Sequence, residues 1–313
     1  MASETAALSA GLRHRLRDSD LFRSFRRSPV TVVAAAITAI LVLAALLAPL
    51  IAPHNPYDAA SLNLLDARDP PAWQAGGDWS YPLGTDDQGR DMLSAILYGM
   101  RTSLGISVAA VLLAMALGIA LGLLAGYAGG WIDTVIMRIA DVQLSFPVIL
   151  IALLVDGIAR ALLPHAQQDR IAPYVIVLAI ASATWVQFAR TVRGSTMVER
   201  AKEYVQAARV TGVHPALIAW RHVLPNAMGP VLVIATLNLA FAIQTEAALS
   251  FLGLGLPVTE PSLGTLIRVG DDFIFSGEWR WMLLYPAIAL AGLALAVNML
   301  GDWLRDALNP KLR

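Results

Sequence analysis

The run TSLGISVAAVLLAMALGIALGLLAGYAGG, Thr102–Gly130, contains no Asp, Glu, Lys or Arg. A helix needs about 20 apolar residues to cross the ~30 Å hydrocarbon layer of a bilayer, so this stretch is predicted to span a membrane. Uncharged runs also cover Val30–Ala52, Ile171–Ala189 and Trp281–Gly301. Two less uniform spans are read at Ile132–Val155, with Asp133, Arg138 and Asp141 near its start, and at Met228–Phe251, which carries Glu246. The chain of 313 residues is 57% hydrophobic and only 15% charged, with mean hydropathy +0.61. Soluble domains carry about a quarter charged residues and break their apolar residues into short periodic runs. The expected fold class is an all-α integral membrane protein with six transmembrane helices.

Within the opening run, Gly118, Gly122 and Gly126 recur every fourth residue. Small residues at that spacing let two helices approach closely in lipid. Pro147 is predicted to kink the third span without breaking the crossing. GYAGGWID before it reads as a tight cytoplasmic turn, and Asp156–Arg170 as a short outer loop.

Residues 1–29 form a basic cytoplasmic segment in which Leu12, Leu16, Phe22 and Phe25 are spaced to lie along the inner leaflet. The uncharged run that follows exceeds the 7 to 15 apolar residues of a secretory signal and reads as an uncleaved anchor. Residues 30–82 comprise the first transmembrane helix and a Pro-, Asp- and Gly-rich outer loop with no helical period. Residues 83–313 form the main transmembrane domain, with a cytoplasmic loop at 199–225. In YPLGTDDQGRDMLSAILYGM, Thr85, Asp86 or Asp87 reads as the cap of an interfacial helix carrying Met92, Ile96, Leu97 and Met100.

Six spans place both termini on one side, and basic residues decide which. Of the 23 Lys and Arg, 16 fall on the terminal side, among them Arg190, Arg193, Arg200, Lys202, Arg209 and Arg221 between the fourth and fifth spans. Seven fall opposite. The N and C termini are therefore expected in the cytoplasm. The opposite side carries acids such as Asp86, Asp87, Asp91, Asp271 and Asp272, which avoidance of translocated positive charge explains as well as a binding role does.

Zero net charge gives no reason to expect nucleic acid, and zero cysteines exclude disulfides and thiolate metal sites. There is no GxxxxGK[ST] loop to cradle nucleotide phosphates. His14, His54, His165, His214 and His222 lack metal-ligand spacing. No nucleophile and base pair is recognisable, so neither an enzyme nor a resident cofactor is expected. Glu246 is costly inside a span and should face a cavity or a partner. Asn238, Gln244, Glu246 and Ser250 are candidates for a polar pathway, although hydrogen bonding between helices is the commoner use of such residues.

Between the fourth and fifth spans lies EYVQAARVTGVHPALIAWRHVLPN, Glu203–Asn226. KEYVQAARV consists of good helix formers, Gly212 ends that helix, and Pro215 suits the first turn of a second one. The second helix is expected to end before Pro225. Leu217, Ile218, Trp220, Val223 and Leu224 are expected to expose apolar surface that seeks a groove on another protein. An amphipathic connector lying on the protein's own helix ends is the competing reading.

Gln206, Ala207, Ala208, Gly212, Leu224 and Pro225 resemble the EAA motif of the membrane subunits of ATP-binding-cassette importers. LGTDDQGRD from Leu83, GGWIDTVIMRIAD from Gly129, RHVLPN from Arg221, EAALSFLGLG from Glu246, PSLG from Pro261 and the terminal GDWLRDALNPKLR are similar, in order, to its dipeptide, oligopeptide and nickel branch. They match its second, C-type permease. The resemblance implies the type I importer permease fold and ATPase coupling through Glu203, Gln206, Ala207, Ala208, Gly212, Pro215, Leu217, Ile218, Leu224 and Pro225. It also implies an outer-face motif of Gly84, Thr85, Asp86, Gly89, Arg90 and Asp91. Gln206 replaces the motif's Glu, and Glu203 one turn earlier offers a charge instead. The implied partners are a second homologous permease, two ATPase subunits that bind ATP and Mg, an extracytoplasmic substrate-binding protein and the lipid bilayer. The implied solute is a peptide, a nickel complex or another small molecule. A secondary transporter or channel that needs no ATPase would usually show inverted repeats and midplane ionisable residues.

Overall fold

A computed structural model of the chain describes residues 28–58, 62, 64–162, 164–257, 259–275 and 279–308. The basic N-terminal segment before residue 28 and the last five residues lie outside these. The helices are α1 Pro29–Leu46, α2 Ala48–Ile51, α3 Met92–Ala128, α4 Gly130–Leu144, α5 Val148–Leu162, α6 His165–Glu199, α7 Glu203–Val210, α8 Pro215–Ile218, α9 Leu224–Phe251, α10 Leu263–Asp271, α11 Trp279–Met282 and α12 Leu284–Leu308. Five stretches are long and apolar enough to cross a membrane alone, and the bent pair α4 and α5 brings the number to six when counted as one span. Among the described residues there is no sheet, only an antiparallel bridge between Thr85 and Asp91.

Local chemistry sets several boundaries. Ser28 caps α1 by accepting from the Thr31 N–H at 3.3 Å, with Pro29 at the first helical position. Asp91 caps α3, accepting from the Ser94 N–H at 2.9 Å. The sequence pointed to Thr85, Asp86 or Asp87 for this cap, but those three are taken up in the turn before it. The expected interfacial helix is likewise the first part of one continuous helix of 37 residues. At 1.5 Å per residue α3 is about 55 Å long, far more than a bilayer core requires. Met92, Ile96, Leu97 and Met100 are buried against the outer segments, not laid on a lipid surface.

The third span departs most from expectation. Helices α4 and α5 meet at 96° across Ser145–Pro147, the geometry of a broken span or a re-entrant loop and not of a kinked helix. Proline lacks an N–H and biases the preceding residue away from helical geometry. The outer loop read at Asp156–Arg170 is mostly helix, since α5 runs to Leu162 and α6 starts at His165.

The tightest helix pair is α3 with α6. A Cβ at Gly118 would sit 2.3 Å from the Phe188 Cβ, one at Gly122 2.4 Å from the Ala189 carbonyl oxygen, and one at Gly126 2.8 Å from the Arg193 carbonyl oxygen. The expected close approach along this stripe is present at all three turns. Asp133 on α4 binds Arg193 on α6 through two hydrogen bonds, and Asp141 accepts from Arg190 at 2.5 Å. These charges tie the bent span to α6. One apolar core gathers α3, α6 and α9, and a second gathers the start of α3 with α10, α11 and α12. Helix α1 leaves Val30, Ile40, Leu43 and Leu46 more than half exposed, the pattern of a lipid-facing flank.

Candidate functional site

The connection between the fourth and fifth spans folds as an elbow. Helix α7 ends at Gly212, whose φ of +78° suits a residue without a Cβ. The Gly212 N–H donates to the Arg209 carbonyl at 3.0 Å and the Val213 N–H to the Ala208 carbonyl at 3.1 Å. This pair of bonds is the Schellman ending that a C-terminal glycine permits. His214 then caps α8 by accepting from the Ala216 N–H at 3.3 Å, with Pro215 at the first helical position.

The second helix does not stop before Pro225. Residues Ala219–Val223 form a π-helical turn in which the Leu224 N–H reaches the Ala219 carbonyl, and the chain runs on into α9. A proline ring crowds the carbonyl four residues back, and widening the turn relieves that contact. The elbow is therefore continuous with the fifth span.

Ile218 and Val223, expected to be exposed, are fully buried. With Val205 and Ala208 they make a small core, against which Leu123 and Tyr127 of α3 and Val213 pack. The apolar side chains left outside are Val210, Leu217 and Trp220, exposed by 88%, 44% and 65%. Glu203, Gln206, Ala207, Gly212, Pro215 and Pro225 are also at the surface, and Leu224 is half-buried. Both readings of the stretch thus hold in part: one face seals the connector to its own spans, and the other is free.

Polar bonds fasten the elbow to three spans. Glu199, the last residue of α6, accepts from Lys202 and from the Tyr204 hydroxyl, each at 2.6 Å. Partial burial and then the Glu199 carboxylate raise the Tyr204 phenol above its ordinary range, so it remains a donor. Asn226 at the start of α9 donates to the Tyr204 oxygen at 3.2 Å and to the His222 carbonyl at 2.7 Å. Arg200 donates to the Gly126 and Tyr127 carbonyls at 3.0 and 3.1 Å, satisfying the C-terminal end of α3. The Arg209 guanidinium lies 5.6 Å from the centre of the Tyr127 ring. Gln206, at the position of the missing acid, donates to the Arg200 carbonyl at 3.0 Å. In the sequence Glu199, Arg200, Tyr204 and Asn226 carry no signal beyond their charge and polarity.

The motif at residues 84–91, expected at the outer face, is a buried, fully folded turn. Thr85, Asp86, Arg90 and Asp91 are each at most 2% exposed. Asp86 accepts from the Gln88 and Arg90 N–H groups at 2.8 and 2.9 Å and from the Arg90 Nε at 2.6 Å. Gly84, with φ +79°, stands where a Cβ would lie 2.6 Å from the Asp69 carbonyl oxygen. Gly89 is buried in the same turn. The Thr85 hydroxyl donates to the Asp66 carbonyl at 2.5 Å, and Trp281 Nε1 donates to the Thr85 carbonyl at 3.2 Å. Burial and then Asp86 push the Asp87 carboxyl above the usual range.

The four polar residues of α9 separate. Asn238, Glu246 and Ser250 are enclosed by the chain's own helices and Gln244 reaches the surface. The Asn238 amide donates to Gln187 Oε1 at 3.0 Å, and the Ser250 hydroxyl donates to Glu246 Oε1 at 2.8 Å. Three of the four pathway candidates therefore meet partners inside the chain. Of these two bonds, that of Asn238 joins α9 to α6, the use that lipid favours for such groups, and that of Ser250 runs along α9.

Five or six candidate spans around two apolar cores, with an elbow bonded to three of them, define a polytopic helical membrane protein. Residues 118–313 match the family described as binding-protein-dependent transport system inner membrane component, and residues 19–71 match the N-terminal TM domain of oligopeptide transport permease C. The chain belongs to this family and is a transmembrane permease subunit of the bacterial inner membrane. The dipeptide transport system permease protein DppC of Haemophilus influenzae is 36% identical, with 88% of each chain covered. The oligopeptide transport system permease protein OppC of Bacillus subtilis is 35% identical, covering 99% of this chain and 97% of that protein. A structure of the MetNI methionine ABC transporter in an inward-facing conformation matches with TM-score 0.54 at 18% identity, covering 70% of this chain and 98% of that one. That match is one of fold.

Proposed function

We propose that this permease forms half of an import pathway for peptides or similar small solutes, driven by ATP hydrolysed on partner subunits. The elbow at 199–226 is its coupling element. The carrying observation is that Val210, Leu217 and Trp220 project from a scaffold bonded to α3, α6 and α9. An apolar face presented on two short helices suits a groove on a partner, and any displacement there reaches three spans at once.

In this reading two ATPase subunits bind ATP and Mg, a second, homologous permease completes the pathway, and an extracytoplasmic binding protein delivers solute to the side of the outer motif. The 16 to 7 division of basic residues supports termini and an elbow that face the cytoplasm. Gln244, the polar residue of α9 that reaches the surface, is the proposed pathway contact. Relatives named as dipeptide and oligopeptide permeases support the solute class.

Cysteine substitution tests the coupling role, since the chain has no cysteine of its own. Ala207→Cys should cross-link to a single-cysteine ATPase subunit, with a yield that changes when ATP is added. Labelling of that cysteine by a membrane-impermeant thiol reagent in intact cells would overturn the reading.

A further inference from the structure

The outer ends of α5, α6 and α10 and the turn after α9 line a half-open polar cavity of about 180 Å3. At ~30 Å3 per water it has room for roughly six waters, enough for the backbone of a short solute. Asp156 and Arg160 of α5, Asp169 of α6 and Arg268 of α10 line it. Two of these charges cancel, because Arg160 Nε donates to Asp156 Oδ2 at 2.6 Å. Arg268 and Asp169 have no ion-pair partner among the described residues. The cavity thus presents one unmatched cation and one unmatched anion.

Arg268 runs close to the backbone of the turn after α9. Its guanidinium passes Gly253, whose φ is +79°, where a Cβ would come 2.7 Å from Nη1. Any side chain at 253 would displace it. Being half-buried, Arg268 is partly stripped of water, so a carboxylate gains more from it than from a fully hydrated surface arginine.

We propose that this cavity is a subsite for a small zwitterion, with its carboxylate on Arg268 and its ammonium group toward Asp169. The charge pattern stands alone. Naming the solute as a short peptide with free termini rests on the import reading above.

The test uses the complete complex of both permeases and both ATPases in nanodiscs, with the binding protein omitted. Equilibrium binding is measured for radiolabelled glycyl-leucine, its C-terminal amide and its N-acetyl form. Arg268→Gln should weaken glycyl-leucine by at least about tenfold, as loss of a charge-assisted bond implies, and leave the amide's affinity unchanged. Asp169→Asn should act likewise on the free amine and not on the acetyl form. Absence of saturable glycyl-leucine binding to the unaltered complex, or equal losses for the blocked probes, overturns the subsite.

ATP-driven uptake of glycyl-leucine from the loaded binding protein judges the import reading separately. Uptake without cavity binding removes the subsite alone, and binding without uptake removes peptide import alone. If Arg268→Gln lowers stimulation of ATP hydrolysis by the loaded binding protein while glycyl-leucine affinity is unchanged, the cavity receives that protein and the subsite is overturned.

Discussion

The Tyr204 hydroxyl lies 2.6 Å from Glu199 Oε2, joining the first helix of the elbow to the last residue of the fourth span. The same oxygen accepts from Asn226 at the start of the fifth span. One phenol therefore links two membrane crossings through the element proposed to receive the ATPase. Tyr204→Phe keeps the ring and removes both bonds, at a cost of about 1–3 kcal/mol for the charge-assisted one. We expect the variant to insert normally, to hydrolyse ATP with its partners and to transport at a reduced ratio of solute to ATP. An unchanged ratio in proteoliposomes would argue against the linkage.

Gly212 isolates the backbone contribution, because nothing lies within 4 Å of where its Cβ would be. Left-handed geometry costs an ordinary L-residue roughly 1–2 kcal/mol and is milder for Asn. Gly212→Asn should therefore retain most uptake, whereas Gly212→Val should lose most of it with membrane insertion intact. Uptake measured against protein level in the membrane distinguishes these outcomes.

The α3 to α6 contact makes a second glycine pair informative. Gly122→Leu must drive side-chain atoms into the Ala189 backbone and is expected to destabilise by about 1–3 kcal/mol or more. Gly105→Ala, on the same helix with open space around it, is expected to be neutral. Thermal unfolding in detergent should separate the two, and equal shifts would mean that the helices do not meet along this stripe.

In the outer turn, Arg90 and Asp86 form a buried ion pair at 2.6 Å. Removing one partner of such a pair costs about 3–5 kcal/mol, because the other charge stays buried. Arg90→Met alone should destabilise strongly, and Asp86→Asn combined with it should recover part of the loss. A double-mutant cycle on thermal stability measures that recovery.

Asp87 carries the pH dependence of the same turn. Its carboxyl is raised by burial and by Asp86, and its Oδ1 is buried without a hydrogen-bond partner among the described residues. A raised acid favours the folded state when protonated. Its contribution is thus complete below the ordinary carboxylate value and is lost as pH rises through the raised folded value. Asp87→Asn is expected to be more stable than the unaltered chain at neutral pH and to converge with it in acid. Parallel melting curves across that range would count against the assignment.

Features carried by neighbouring residues could be read in advance. The uncharged run at Thr102–Gly130, the glycine stripe within it and the ending of α7 at Gly212 each depend on spacing along one helix. A kink at Pro147 is legible in the sequence, but the 96° break is not, since the angle depends on what α4 and α5 pack against. Ile218 and Val223 were misplaced for a related reason. A short helix shows which of its faces is apolar, and the neighbouring α3 decides whether that face is covered.

Composition and period alone established a six-span helical membrane protein with a basic, glycine-ended connection between the fourth and fifth spans, because hydropathy and helix-stop chemistry act within a few residues. Pairing across the chain was settled by folding. Ser103 receives the Leu263 N–H across 160 positions, and Trp281 reaches the Thr85 carbonyl across 196. Which polar side chains are spent inside the chain, and which stay free at the elbow and around Arg268, depends on such distant partners. A buried polar group is satisfied only by a partner in space, and linear spacing carries no record of where that partner will be.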